Sequence, residues 1–234
     1  VSFEGKTLTM LIGYAPGGGT DIFGRILAPY MSENLPGNPA IVIRNMPGAG
    51  GILLGNYLYA IAKPDGLTIG MPGRSGFFLA AAIGDASARY DIAKFTWLGS
   101  ATDEVSVCVT TWRSPVKTYE DMLKTEFSVG GEGGGSDPDT FAAVTKALLG
   151  AKIRVVTGYP GGNEISLALD RGEVDGRCGW SWISIKATKA DWVREKKLNV
   201  LLTMGLRRSD ELPDVPAIIE KAKDDRQRAI MKLV

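Results

Sequence analysis

The chain has no histidine and only two cysteines, Cys108 and Cys178, among its 234 residues. Without histidine there is no Ser-His-Asp or Cys-His nucleophilic system and no imidazole for a metal. Two cysteines exclude the Cys-rich zinc sites. Given their apolar neighbours, two buried free thiols inside strands are expected ahead of a disulfide. No apolar run approaches the roughly 20 residues that a membrane-spanning helix needs. An excess of charge is lacking too: 27 Lys and Arg against 26 Asp and Glu leave +1, so the balance calls for no nucleic-acid partner. Nucleotide and hydrolase signatures are missing. There is no G-x-x-x-x-G-K-[ST], and GGGTDIFG has Ile22 where G-x-G-x-x-G requires its last glycine. GRSGF has Phe77 where G-x-S-x-G requires glycine. The first residues, VSFEGKTLTML, hold no charged region followed by an apolar core, which leaves either a cytosolic protein or one whose signal has been removed.

What the chain does have is a recurring unit: a short apolar run, a Gly/Pro loop, then a helical period. TLTMLIGYA (7–15) leads through PGGGTD to IFGRILAPYM, where Pro29 is expected to kink or shorten the helix. AIVIRN (40–45) leads through MPGAGG, LTIGM (67–71) through PGRSG, FSVGGEG (127–133) through GGSDPD, and KIRVVTGY (152–159) through PGGNE. Strands alternating with helices predict an α/β fold with mostly parallel sheets flanked by helices. Two β-like runs follow another pattern: Val105 to Trp112 has no glycine loop after it, and LNVLLTMG (198–205) precedes a polar stretch. They are expected to be crossings between two lobes, with hinges near 100–110 and 200–208. Lobe 1 is then 1–103 plus 207–234, and lobe 2 is 104–206. The tail EKAKDDRQRAIMKL reads as a charged surface helix.

In open α/β sheets ligands bind outside the carboxyl ends of strands, where these loops fall. Each loop also opens a helix, whose unpaired N–H groups and dipole attract an anion. Gly17, Gly18 and Gly19 would let a ligand oxygen reach bare backbone, and the matched GGGSD places Gly133, Gly134, Gly135 and Ser136 likewise. A pair of such loops suits a carboxylate. For any single loop, tight turns and helix caps explain the glycines better; it is the recurrence, above all in the matched pair GGGTD and GGGSD, that points to an anion. Thr20 and Ser136 are candidates for hydroxyl donation to the ligand or for helix capping. Asp21 and Asp137 suit the helix dipole, or, for Asp21, a ligand hydroxyl, amine or bridging water. Arg74 is the candidate clamp on a second carboxylate, with Ser75 beside it, against a solvated loop arginine. Arg177 and Trp180 are candidates from the second lobe, against core packing for the tryptophan. Pro16 and Gly161 complete the set as members of the glycine loops. A rival reading is an enzyme acting on an organic acid through the same loops, with Asp21, Asp175 or Tyr159 as its acid–base group; another is an effector-sensing domain of a larger regulator.

The segments GKTLTMLIGYAPGGGTD, NMPGAGG, PDGLTIG, WLGS, SPVKTYEDM, RGEVDG and LPDVP occur in this order. Together they resemble the periplasmic receptors of tripartite tricarboxylate transporters. The resemblance implies a two-lobed periplasmic binding protein fold, type II-like, closing on a small carboxylate in a cleft between the lobes. It implies a receptor and not an enzyme, with no cofactor and no metal. The protein would be a monomer in the periplasm, its signal peptide removed, delivering ligand to a membrane permease of two dissimilar subunits. Residue by residue it assigns Gly17 to Asp21 and Gly133 to Ser136 to the carboxylate, partly through ordered water, and adds Ala49 and Gly50 of PGAGG. Two departures stand out. Many members carry a histidine after the glycine–serine loop and a later PYKGG, where this chain reads SDPDT and GYPGG, so the ligand need not be a tricarboxylate, and a dicarboxylate or an aromatic acid fits the resemblance as well. Members also continue past LPDVP for several elements that return to the first lobe.

Overall fold

The computed structural model describes residues 2–100 and 105–233. The chain divides into two compact units, Val1–Thr102 and Asp103–Val234. All five predicted strand–loop–helix units are present.

In the first unit, β1 (Thr7–Ile12) feeds α1 (Gly19–Asn34), β2 (Ala40–Asn45) feeds α2 (Ile52–Ala60), and β3 (Thr68–Met71) feeds a π-type stretch, Ser75–Leu79, that runs into α3 (Ala80–Ala82). The sheet order is β2-β1-β3, all parallel. The central strand is buried at Leu8, Met10, Leu11 and Ile12, which is why its sequence is apolar at successive positions and does not alternate. The edge strand β2 does alternate, with Ala40, Val42 and Arg44 exposed. α1 lies close on β1: a Cβ at Gly24 would stand 2.6 Å from the Ile12 side chain. Two apolar clusters result, one of Met10, Ile12 and Ala28, the other of Ile52, Phe77, Ala80 and Tyr90. α1 is continuous through Pro29, contrary to the expected interruption. Pro29 and Arg25, whose carbonyl loses its helical partner, are both exposed, so water can satisfy that carbonyl.

The second unit contains β4 (Ser106–Thr111), α4 (Tyr119–Lys124), β5 (Phe127–Gly130), α5 (Asp137–Leu149), β6 (Ile153–Val156), α6 (Gly162–Arg171), β7 (Gly176–Ser181), α7 (Trp182–Thr188), α8 (Ala190–Arg194), β8 (Leu198–Thr203) and α9 (Asp225–Leu233). The sheet order is β6-β5-β7-β4-β8. β5 is parallel to β6 and β7, but β4 is antiparallel to both β7 and β8. This sheet is therefore mixed, with the antiparallel strand being the run that lacked a glycine loop.

Two expectations are corrected here. Cys108 on β4 and Cys178 on β7 form a disulfide and are not free thiols; both sit fully buried on neighbouring strands, a proximity that apolar flanking sequence does not reveal. The segment 207–234, expected in lobe 1, packs within the second unit. Ala217, Ile218, Ile219 and Met231 enter the same core as Cys108, Phe127 and Leu201, the N–H of Thr203 donates to Pro216 O at 3.0 Å, and Gln227 Nε2 donates to Leu148 O. The apolar residues hidden among its charges decide this placement. β8, expected at a crossing, pairs with β4 along its length as an edge strand of the sheet. The crossing expected near 100–110 falls partly on 101–104, outside the described residues.

Candidate functional site

In the first unit three loops leave the carboxyl ends of adjacent parallel strands and meet. Tyr14 joins them. Its hydroxyl donates to Gly50 O at 3.4 Å, and its ring lies where a Cβ on Gly73 would be, so only glycine fits there. A Cβ on Gly51 would approach Gly73 N to 3.3 Å. Beneath the first loop sits Asp21, 1 % exposed. It occupies the third position of α1 and folds back so that its carboxylate accepts from Gly17 N, Arg25 Nε and Asn45 Nδ2, each at 2.8 Å. Asn45, at the end of β2, also donates to Tyr14 O at 2.9 Å. Burial alone would raise the Asp21 pKa. The hydrogen bonds from Arg25, Gly17 and Asn45 and the Arg25 charge together outweigh it and hold the group below its ordinary value.

The second unit repeats this construction after β5. Asp139, in the third position of α5, accepts at one carboxylate oxygen from Glu132 N (2.7 Å), Gly133 N (3.0 Å) and Ser136 Oγ (2.7 Å). A Cβ on Gly131 would come within 2.5 Å of that oxygen, so the loop wraps tightly around the acid. The next loop is tied in, with Tyr159 N donating to Gly131 O at 3.1 Å. Arg177 on β7 braces the two: it pairs with Glu132 at 3.3 Å, donates to Gly162 O at 3.2 Å, and lies over the Trp180 ring at 5.2 Å from its centroid. Burial pushes the Glu132 carboxyl above its ordinary value; the Arg177 charge opposes this, while Asp137, Asp139 and Glu164 add to it.

These contacts sort the loop amides into two kinds. Gly17, Glu132 and Gly133 give their N–H groups to internal carboxylates. The N–H groups of Gly19 and Thr20, in the first turn of α1, and of Gly134 and Gly135, ahead of α5, have no partner among the described residues. Gly19 and Thr20 are helix N-terminal donors, and Gly134 and Gly135 lie in the loop just before the N-cap Ser136; all four suit an anion.

The sequence-predicted residues fall accordingly. Pro16, Gly17, Gly18, Gly19, Thr20 and Asp21 form one loop and helix start, with Gly18 at the N-cap. Ala49 (φ 46°) and Gly50 (φ 60°) lie in the second loop, both left-handed, and Arg74 leads into the third, with Ser75 buried. Gly133, Gly134, Gly135 and Ser136 share the other unit with Gly161, the N-cap of α6. The Ser136 hydroxyl caps no helix N–H; it serves Asp139. Arg177 and Trp180 are buried and act as brace and core. Sequence reading missed Asp139, Glu132, Tyr14 and Asn45. Asp139 had a signal, the S-x-x-D spacing of Ser136 and Asp139; the literal match of GGGTD to GGGSD pointed instead to Asp137. Nothing local marks Asn45, whose role depends on β2 lying beside β1. Among the described residues no cluster of His, Cys, Asp or Glu could hold a metal, and no helix is long and apolar enough to cross a membrane.

Glycine loops at the carboxyl ends of strands, leading into helices and carrying unpartnered amides, give this α/β protein a main-chain arrangement suited to a small anion. The chain belongs to the tripartite tricarboxylate transporter family of receptors, whose sequence profile matches residues 23–234. It is 28 % identical over 230 residues to a UPF0065 protein from the TAR-I ttuE-ttuC' intergenic region of Agrobacterium vitis, covering 96 % of this chain and 64 % of that protein. The chain thus spans under two thirds of that relative's length. Among solved structures, MatC from Rhodopseudomonas palustris with bound malate superposes with a TM-score of 0.75 at 26 % identity, covering 92 % of this chain and 72 % of MatC. A structure described as a periplasmic transporter gives the same TM-score at 23 % identity, over 98 % of this chain and 74 % of its own, and supports the periplasmic-binding-protein fold.

Proposed function

We propose that the protein is an extracytoplasmic receptor that captures a small organic carboxylate, a di- or tricarboxylate or an aromatic acid, and hands it to a membrane permease of two dissimilar subunits. The observation that carries this reading is the set of unpartnered amides at Gly19, Thr20, Gly134 and Gly135, one pair in each unit. In each unit these amides offer main-chain donors to a negatively charged ligand group, and no protein cation is required at those positions. The malate in the MatC structure is a ligand of the proposed class. The disulfide suits an oxidising compartment such as the periplasm.

The rival, an enzyme on the same loops, loses its acid–base carboxylates to structural work. Asp21 is buried under three donors, and Asp175 accepts from Ser128 N and Ser128 Oγ, both at 2.8 Å. Calorimetric titration with malate, citrate, adipate and benzoate, followed by product analysis, decides between them. Saturable one-to-one binding of at least one acid with its full recovery is expected. Conversion of the acid, or heat-silent mixing with all four, refutes the receptor.

A further inference from the structure

The two loops share a feature that neither glycine content nor family membership explains. An acid sits inside each place meant for an anion. Asp21 and Asp139 occupy the same position, third in their helices, and each turns inward to accept backbone N–H groups of its loop, that of Gly17 for Asp21 and those of Glu132 and Gly133 for Asp139. A glycine loop left alone has many conformations and is costly to order. A carboxylate accepting two or three bonds fixes the loop by charge-assisted contacts, which are stronger than neutral ones. It also divides the labour: amides bound to the acid face in, and Gly19, Thr20, Gly134 and Gly135 keep theirs for something else. At Asp21 the charge is met by Arg25 at 2.8 Å. At Asp139 the carboxylate sits against two amides and a hydroxyl.

We propose that Asp21 and Asp139 are positioning residues for ligand capture: each draws the inner amides of its loop onto its own carboxylate and so aims the outer amides at the incoming acid. The inference rests on the receptor reading above, and its test separates the two.

Asp139 is the cleaner test, because its side chain is only half-buried while that of Asp21 is buried. Three variants are compared with the parent chain: Asp139→Ala, Asp139→Asn, and Thr145→Ala. Thr145 lies on the same helix, its hydroxyl donating to Phe141 O at 2.7 Å, and serves as a control for stability loss away from the loop. Affinity for malate and the amide spectrum are both read, at a temperature where all four are folded. Asp139→Ala is expected to weaken malate binding by roughly tenfold or more, the equivalent of about one and a half hydrogen bonds. Asp139→Asn, which keeps one acceptor oxygen, recovers part of that loss, and Thr145→Ala leaves affinity unchanged. In the spectrum of Asp139→Ala without ligand, the Glu132 and Gly133 amides shift and exchange faster with solvent, and those of Gly134 and Gly135 broaden. Unchanged affinity in Asp139→Ala, or an equal loss in Thr145→Ala, overturns the positioning role. If the parent chain binds none of the four acids, the receptor reading fails by itself. The amide spectrum then still decides whether Asp139 orders the loop, and an unaltered spectrum overturns that as well.

Discussion

The loops 14–21 and 131–139 are built on one plan and loaded differently. Each follows a strand, opens a helix and folds onto an acid in the helix's third position. In the first, a single acid ties several elements together: Asp21 is buried, meets Arg25, and reaches Asn45 on the neighbouring strand. In the second, that work is divided. Asp139 holds the loop backbone, and a separate pair, Glu132 with Arg177, ties the loop to α6 and to Trp180. A loop can thus be fixed by one acid serving several elements or by two acids serving one each, and the two solutions differ in what a mutation costs.

The largest expected difference lies in removing the acids. Asp21→Ala removes a buried carboxylate with its ion pair to Arg25 and its bonds to Gly17 and Asn45, and should cost about 3 kcal/mol of unfolding free energy; Asp139→Ala, which removes a half-buried carboxylate bonded to two amides and a hydroxyl, should cost nearer 1 kcal/mol. Denaturant titration measures both, and equal losses would break the comparison. The next effect concerns the glycines. A Cβ on Gly134 meets nothing within 4 Å, and one on Gly18 meets only Ala15 O at 3.5 Å. Gly134→Val and Gly18→Val should therefore leave the melting temperature within a few degrees while weakening carboxylate binding more than about tenfold. Gly133→Val, at φ 121°, should also lower stability by about 1–2 kcal/mol, because a branched side chain rarely adopts that conformation. Retained affinity in both Gly134→Val and Gly18→Val would remove these loops from the site.

The smallest effect is in pH dependence, and its sign differs between the loops. Asp21 is held below its ordinary pKa, so its contribution is complete above the ordinary carboxylate range and is lost as pH falls through the lower, folded value. Glu132 is pushed up by burial, so its contribution is complete below the ordinary glutamate range and declines as pH rises through its folded value. Stability measured from pH 3 to 8 should show Asp21→Asn blunting the acid-side loss and Glu132→Gln blunting the decline on the other side. The same sign for both would show that one of the two environments is misassigned.

The sequence by itself determined the local units. Apolar runs broken by glycine, then helical periodicity, placed all five strand–loop–helix modules, because each is set by spacing within about 25 residues. It also placed the glycines that open the two helices. Only tertiary structure decided what depends on residues far apart in the chain. β4 lies antiparallel beside β7 and brings Cys108 to Cys178. The tail 207–234 joins the second unit through four apolar residues that its charges conceal. Within the loops, the literal motif fixed which amides exist, and not which remain available. That was settled by where Asp21 and Asp139 fold back, since a carboxylate chooses its donors by distance and direction, and a sequence records neither.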